Sequence, residues 1–303
     1  AEWVDYCNTP DNYLRLHHGR REPYNVHLWQ IGNETSYDPR GYDLETAARR
    51  TLAFAKAMHE ADPNIALIGW GDDGWAGRML EIAGEQLQYI AFHHMFSVGA
   101  TDPSFDWTQY RTDPAHTWEL LMNAYKVPEA KIQLMRESVA GYDVPLALTE
   151  SHFSLRARNR CGVLSSWAAG VSYARILNVH ARNGDVLKMA TLADFCGTRW
   201  MVNAIMIPFP QRASKSFMMP VARVMALYRR HQGQFAVEVT AAPQELDVAA
   251  SRTGDMAYLH VVNTSRTRGA WADLEVTGLS VASGRLFEIA EEPTREIDET
   301  LPH

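Results

Sequence analysis

The chain has 303 residues, 46% of them hydrophobic and 21% charged, with a formal net charge of −7. Such a composition builds a sizeable core and leaves room for one large domain and a small one. The acidic balance, with no Lys/Arg-rich run, excludes nucleic acid and anionic membrane surfaces as expected partners.

Strand-like and helix-like segments alternate from the start. The run VHLWQIG, 26–32, reads as a buried strand. DLETAARRTLAFAKAMHEADP, 43–63, reads as an amphipathic helix: Leu44, Ala47, Ala48, Leu52, Ala55 and Met58 recur at three-and-four spacing, and Asp62-Pro63 stops it. IALIGWG, 65–71, is a second strand, GWAGRMLEIAGEQ, 74–86, a short helix, and LQYIAFHHMF, 87–96, a third strand. Residues 113–138 are predicted helical with an interruption at Val127-Pro128. VPLALTE, 144–150, is the fourth strand, 161–182 a long helix ended by Asn183-Gly184, and VLKMATL, 186–192, the fifth strand. A last helix is predicted over 214–233.

Beyond residue 233 the pattern changes to alternation of apolar and polar residues broken at turns, the mark of half-buried antiparallel strands. The expected organisation is therefore a βα domain over 1–233 and a β domain over 234–303. Consecutive βα units imply a parallel sheet. Gly69-Trp70-Gly71 lacks the third glycine of a dinucleotide fingerprint, which favours a (β/α)8 barrel over a doubly wound sheet. Five units do not close an eight-stranded barrel, so strands 1 to 3 are expected on another segment.

Two of the predicted strands each deliver a glutamate at the C-terminal end: Glu34 in Gly-Asn-Glu and Glu150 in Leu-Thr-Glu. In a barrel that is the face where active sites lie. Two carboxylates there suit retaining glycoside hydrolysis, in which one carboxyl protonates the leaving group while the other, about 5–5.5 Å away, attacks the anomeric carbon. Asn33, beside Glu34, is placed to hydrogen-bond the sugar 2-OH. Trp29, Trp70, Trp75, Trp118, Trp167 and Trp200 are candidates to stack on sugar, Trp70 and Trp200 first because they sit at strand ends.

Other chemistries find less support. His17-His18 and His93-His94 invite a metal reading, but neighbours on a strand point to opposite faces and do not chelate. No metal and no cofactor are expected. Ser151 and His152 do not form a nucleophile–base pair, and no GxSxG elbow is present. Cys7, Cys161 and Cys196 lack metal-type spacing and read as buried small apolar residues. Asn33-Glu34-Thr35 matches a glycosylation sequon, but a glycan on Asn33 would block the proposed cleft. No run of about 18 apolar residues is present. AEWVDYCN carries no signal-peptide pattern, and a cytoplasmic location is the expectation.

At this point the residues resemble a family. WQIGNE and LALTESH are similar to the acid/base and nucleophile motifs of the clan of (β/α)8 retaining glycosidases, which carries them after strands 4 and 7. Glu34 and Glu150 have the same three-strand offset, so the five strands correspond to strands 4 to 8. Within the clan, EWVDYCN (2–8), REPYNVHLWQIGNE (21–34), YIAFHHMF (89–96) and LKMATLADF (187–195) together most resemble glycoside hydrolase family 51, the α-L-arabinofuranosidases. The β-rich C-terminal stretch resembles that family's β-sandwich.

The resemblance implies Glu34 as acid/base, Glu150 as nucleophile, Asn33 as the 2-OH partner and His93 near the active site. The chain departs from the family at His94 and Met95, where aromatic residues are usual, and at Asp194, where a Gln is usual; both positions would touch the sugar. What it implies overall is a retaining exo-acting α-L-arabinofuranosidase on plant-polysaccharide-derived glycans. The alternatives are another retaining clan glycosidase (an endo-β-glycanase or other furanosidase) and a non-catalytic carbohydrate-binding fragment. An open five-stranded piece exposes a sheet edge, so a homo-oligomer or a complementary N-terminal segment is expected to complete the barrel.

Overall fold

The structure, a computed structural model, describes residues 1–38, 40–96, 101–155, 162–198, 204–207, 215–278 and 280–298. In chain order the elements are helices α1 (Glu2–Asn8) and α2 (Tyr13–His17), strand β1 (Leu28–Ile31), α3 (Leu44–Ala61), β2 (Ala66–Trp70), α4 (Ala76–Ala83) and β3 (Tyr89–Phe96). Then come α5 (Pro114–Met122), α6 (Lys126–Ser138), β4 (Leu146–Phe153), α7 (Trp167–Arg182), β5 (Leu187–Ala190) and the two-residue strands β6 (Cys196–Gly197), β7 (Ile205–Met206) and β8 (Phe217–Met218). Helix α8 (Pro220–Arg230) precedes β9 (Phe235–Val237), β10 (Leu246–Thr253) and β11 (Met256–Asn263).

The five predicted strands form one sheet in sequence order, β1-β2-β3-β4-β5, with parallel registers such as Leu28 opposite Ala66 and Ile68 opposite Tyr89. A register shift between Leu146 and Ala147 marks an irregularity in the pairing of β4 with β5. Local chemistry fixes the helices. The Asp43 carboxylate caps α3 by accepting from the Thr46 N–H, and Asp113 caps α5 by accepting from His116 N–H, with Pro114 in the first turn. Gly71 lets β2 turn closely into α4: a Cβ there would lie 2.4 Å from Ile90 Cγ2.

Several boundaries differ from the sequence reading. The break in 113–138 falls at Asn123, the C-cap of α5, and Pro128 lies in the first turn of α6, where no intrahelical N–H bond is lost. β4 runs on through Ser151, His152 and Phe153, all buried, so Glu150 lies inside the strand instead of ending it. Gly162–Ser165 forms a 3-10 turn and α7 begins at Trp167. The last helix begins at Pro220, whose fixed φ suits a first turn, and Phe217–Met218 is strand. Cys7 is buried as expected, whereas Cys196 is exposed, and Cys161 lies outside the described residues.

The chain divides into two compact units. The first comprises Ala1–His93, Ile132–Glu150 and Val186–Thr191. Its strands pack Ile68, Trp70, Ala91 and Ala147 together, with Trp75, Tyr89 and Met189 against them. The second comprises His94–Lys131, Ser151–Asp185 and Leu192–His303. Its core gathers Phe96, Phe105, Phe153, Leu164 and Tyr173 with Phe217 and Val221. The antiparallel sheet of the predicted C-terminal β domain has the order β11-β10-β9, and β10 alternates buried and half-buried residues as expected for a sheet with one covered face. Among the described residues, no helix is long and apolar enough to cross a membrane.

Candidate active site

Within the first unit, β3, β4 and the turn after β1 bring the chemistry-bearing residues together. β1 stops at Ile31 because Gly32 takes φ +85°, a left-handed conformation that favours glycine. Glu34 follows in the same region at φ +53°, uncommon for a residue with a Cβ. The turn is closed by the Tyr37 N–H donating to the Glu34 carbonyl at 3.0 Å. Backbone conformations of this kind persist only where the surroundings hold them, and they cluster at functional sites.

The Glu34 and Glu150 side chains keep 41% and 38% of their surface exposed, while the His93 side chain is 1% exposed. His93 stands between them. Its Nδ1 lies 3.0 Å from Glu34 Oε1, and its Nε2 lies 3.8 Å from Glu150 Oε1. One ligand atom from each of the three residues falls within 4.8 Å of the others, so a Glu34 and a Glu150 carboxylate oxygen lie within that distance. Gln30, Gly32, Asn33, His93, Thr149 and Glu150 line an open cavity of about 430 Å³, within the range for small-ligand sites. Glu34, His93 and Glu150 are also the described residues that group as possible metal ligands.

The remaining predicted residues have other surroundings. Trp70 is fully buried and presents no face to a sugar: on β2 it points inward, its ring edge-on to His93 at a centroid distance of 4.6 Å, and its Nε1–H donates to Ser36 Oγ. His94, next along β3, has its ring 6.1 Å from Phe96 and is absent from the cavity lining, as alternation along a strand requires. Asp194, at φ +46°, has an oxygen 3.3 Å from His152 Nε2 within the second unit. Trp200 lies outside the described residues.

Sequence reasoning missed Gln30, Thr149, Tyr37 and Asp72. The Asp72 carboxylate is completely buried and accepts from the Tyr37 hydroxyl and from the His93 N–H at 3.2 Å. Burial, then the hydrogen bond to Asp72, pushes the Tyr37 phenol up, so it stays protonated and donates. The available signal was the pair Asp72-Asp73 directly after a buried strand.

Residues 1–114 match the family model described as the alpha-L-arabinofuranosidase 1 domain. A probable alpha-L-arabinofuranosidase C of Aspergillus niger is 44% identical over 80 residues, covering 24% of this chain and 16% of that protein. An intracellular exo-alpha-(1->5)-L-arabinofuranosidase of Acetivibrio thermocellus is 27% identical over 107 residues, 31% of this chain and 21% of that one. The solved structure of a family 51 alpha-L-arabinofuranosidase from Bifidobacterium longum superposes with a TM-score of 0.72 at 17% identity, covering 99% of this chain and 66% of that chain. Over its first 114 residues the chain is similar in sequence to α-L-arabinofuranosidases, and its fold is similar to that of a family 51 α-L-arabinofuranosidase. Its five parallel strands are part of a (β/α)8 barrel, followed by an antiparallel sheet, and it spans less than two thirds of the length of the relatives it matches.

Proposed function

We propose that this chain carries the catalytic pair of a retaining, exo-acting α-L-arabinofuranosidase, with Glu34 as acid/base and Glu150 as nucleophile. The observation that carries the reading is the approach of the two carboxylates, within 4.8 Å oxygen to oxygen, at one open cavity. A separation of about 5–5.5 Å between the carboxyls suits direct attack on the anomeric carbon, whereas inversion leaves room for a water at about 6.5–9.5 Å.

The geometry supports a double displacement. The Glu34 carboxyl protonates the glycosidic oxygen as the bond breaks, and a Glu150 oxygen bonds to the anomeric carbon. The Glu34 carboxylate then takes a proton from water, which attacks the same carbon and releases Glu150 with net retention. Asn33, in the lining, is assigned to the 2-OH. The imidazole of His93 meets Glu34 through Nδ1 at 3.0 Å and turns Nε2 toward Glu150 at 3.8 Å, beyond hydrogen-bond distance.

Terminal arabinofuranosyl residues of plant-derived glycans are the proposed substrate, in keeping with the activities named for the relatives. A cytoplasmic location is part of the same proposal, supported by the intracellular relative, as is a division near residue 233. Among the described strands, β1 pairs only with β2 and β5 only with β4, and we assign further strands, from another segment or another copy, to those edges.

The test is Glu150→Ala. It is expected to abolish turnover of aryl α-L-arabinofuranosides, with azide restoring part of it and giving the inverted glycosyl azide. Glu34→Ala is expected to slow poor leaving groups far more than activated ones. Wild-type rates in both variants would overturn the assignment.

A further inference from the structure

The turn bearing Glu34 is anchored by residues that the reaction does not consume. Tyr37, three residues after Glu34, donates its hydroxyl to Asp72 Oδ2, and the same oxygen accepts from the His93 N–H at 3.2 Å. Asp72 Oδ1 accepts from the Asp73 N–H at 2.7 Å. His93 in turn meets Glu34 Oε1 through Nδ1 at 3.0 Å. The path is closed: Glu34 to Tyr37 through the turn, Tyr37 to Asp72, Asp72 to the backbone of His93, and the His93 ring back to Glu34.

We infer that Asp72 and Tyr37 are positioning residues that hold the turn carrying Glu34 and so set where its carboxyl meets the leaving-group oxygen. The inference rests on the acid/base assignment of Glu34. A carboxylate with no exposed surface is costly to bury unless its lone pairs are satisfied. Here the two donors to Oδ2 come from the turn after β1 and from β3, so bonds that help satisfy Asp72 also fix the distance between those two segments.

A second tie, from Trp70 Nε1–H to Ser36 Oγ at 2.9 Å, joins the turn to β2, and the Tyr37 ring packs edge-on against Trp70 at 5.5 Å. Glu34 itself, at φ +53°, sits in a conformation its own backbone does not favour. Released from Tyr37, the turn is free to relax, and the carboxyl loses its fixed position over His93. A general acid displaced by about 1 Å loses much of its effect.

Tyr37→Phe is the direct test, because the residue is 44% exposed and the change removes only the hydroxyl. Values of kcat/KM are measured across aryl and alkyl α-L-arabinofuranosides graded in leaving-group pKa, for wild type, Glu34→Ala, Tyr37→Phe and Asp72→Asn, with thermal unfolding alongside. The expected result for Tyr37→Phe is a loss within roughly 3-fold on dinitrophenyl leaving groups, which need no proton, and of roughly 30-fold on alkyl ones, a share of the 10²–10⁴ that general acid catalysis supplies. Asp72→Asn keeps the shape but loses acceptor capacity, and is expected to follow the same slope. A uniform loss across the series in Tyr37→Phe, or none, overturns the inference while a steep slope in Glu34→Ala leaves the proposed function standing. A flat slope in Glu34→Ala overturns both. Misfolding of Asp72→Asn leaves Tyr37→Phe to decide.

Discussion

Asp247, on β10, has 5% of its side chain exposed and takes hydrogen bonds from Arg175 at 3.0 Å, Arg182 at 2.8 Å and Asn178 at 2.9 Å. Glu34 and Glu150 keep 41% and 38% exposed; His93 Nδ1 is 3.0 Å from the first, and its Nε2 is 3.8 Å from the second. The second unit thus spends guanidinium and amide donors to saturate a single carboxylate, while the first leaves two carboxylates with lone pairs to spare. A saturated, desolvated anion neither exchanges protons readily nor tolerates loss of a partner. An open pair suits the proposed role of Glu34 and Glu150, with Asp72 and Tyr37 as the inferred support one layer back. On that proposal, unfilled hydrogen-bonding capacity beside a cavity, and not acidity alone, separates the two kinds of carboxylate.

The contrast breaks most sharply under substitution. Glu150→Ala is expected to lower kcat/KM on the order of 10⁴–10⁶-fold, as loss of a covalent nucleophile does in other enzymes, while the unfolding free energy changes by about 0.5 kcal/mol or less. Kinetics paired with urea unfolding check both halves. Asp247→Ala is expected to do the reverse: a loss of about 3–5 kcal/mol of stability from orphaning two guanidiniums and an amide, with kcat/KM per folded molecule unchanged. Equal behaviour of the two variants would erase the distinction.

Asn33→Ala sharpens the comparison from inside the site. Loss of a contact that strengthens only in the transition state is expected to reduce kcat about 100-fold with little change in KM, and an equal fall for a 2-deoxy substrate in the wild-type protein would assign the contact to the 2-OH. The smallest effect is in pH. Burial pushes the Asp247 carboxyl up, and hydrogen bonds from Arg182, Asn178 and Arg175 with the Arg182 charge more than reverse this, so it sits below the ordinary value of 3.8. A depressed carboxyl contributes stability that is fully present above its unfolded value and is lost as pH falls through its folded one. Urea midpoints are therefore expected to fall below about pH 4, and Asp247→Asn to flatten that dependence.

The order of strands and the closeness of the two glutamates were legible because apolar runs and Gly-Asn-Glu are local patterns. The helix α3 was legible for the same reason, since its apolar three-and-four spacing starts at Leu44. Asp72 was not: its partners Tyr37 and His93 are 35 and 21 residues distant, and Asp72-Asp73 on its own reads as a turn. Trp70 was read as a sugar platform from its place at a strand end, but alternation along β2 aims it inward, under His93. The apolar run 144–150 points to a strand ending on Glu150, yet Ser151 and His152 are buried and β4 continues through them.

The central claim is that Glu150 bonds to the sugar while Glu34 serves the leaving group across the same cavity. Incubation with a 2-deoxy-2-fluoro-α-L-arabinofuranoside bearing a dinitrophenolate leaving group, followed by peptide mass analysis, tests it most directly. One fluoropentosyl unit on the peptide containing Glu150, absent in Glu150→Gln, is the result expected. Stoichiometric label on another carboxylate, or turnover to an inverted sugar with no label, would contradict it.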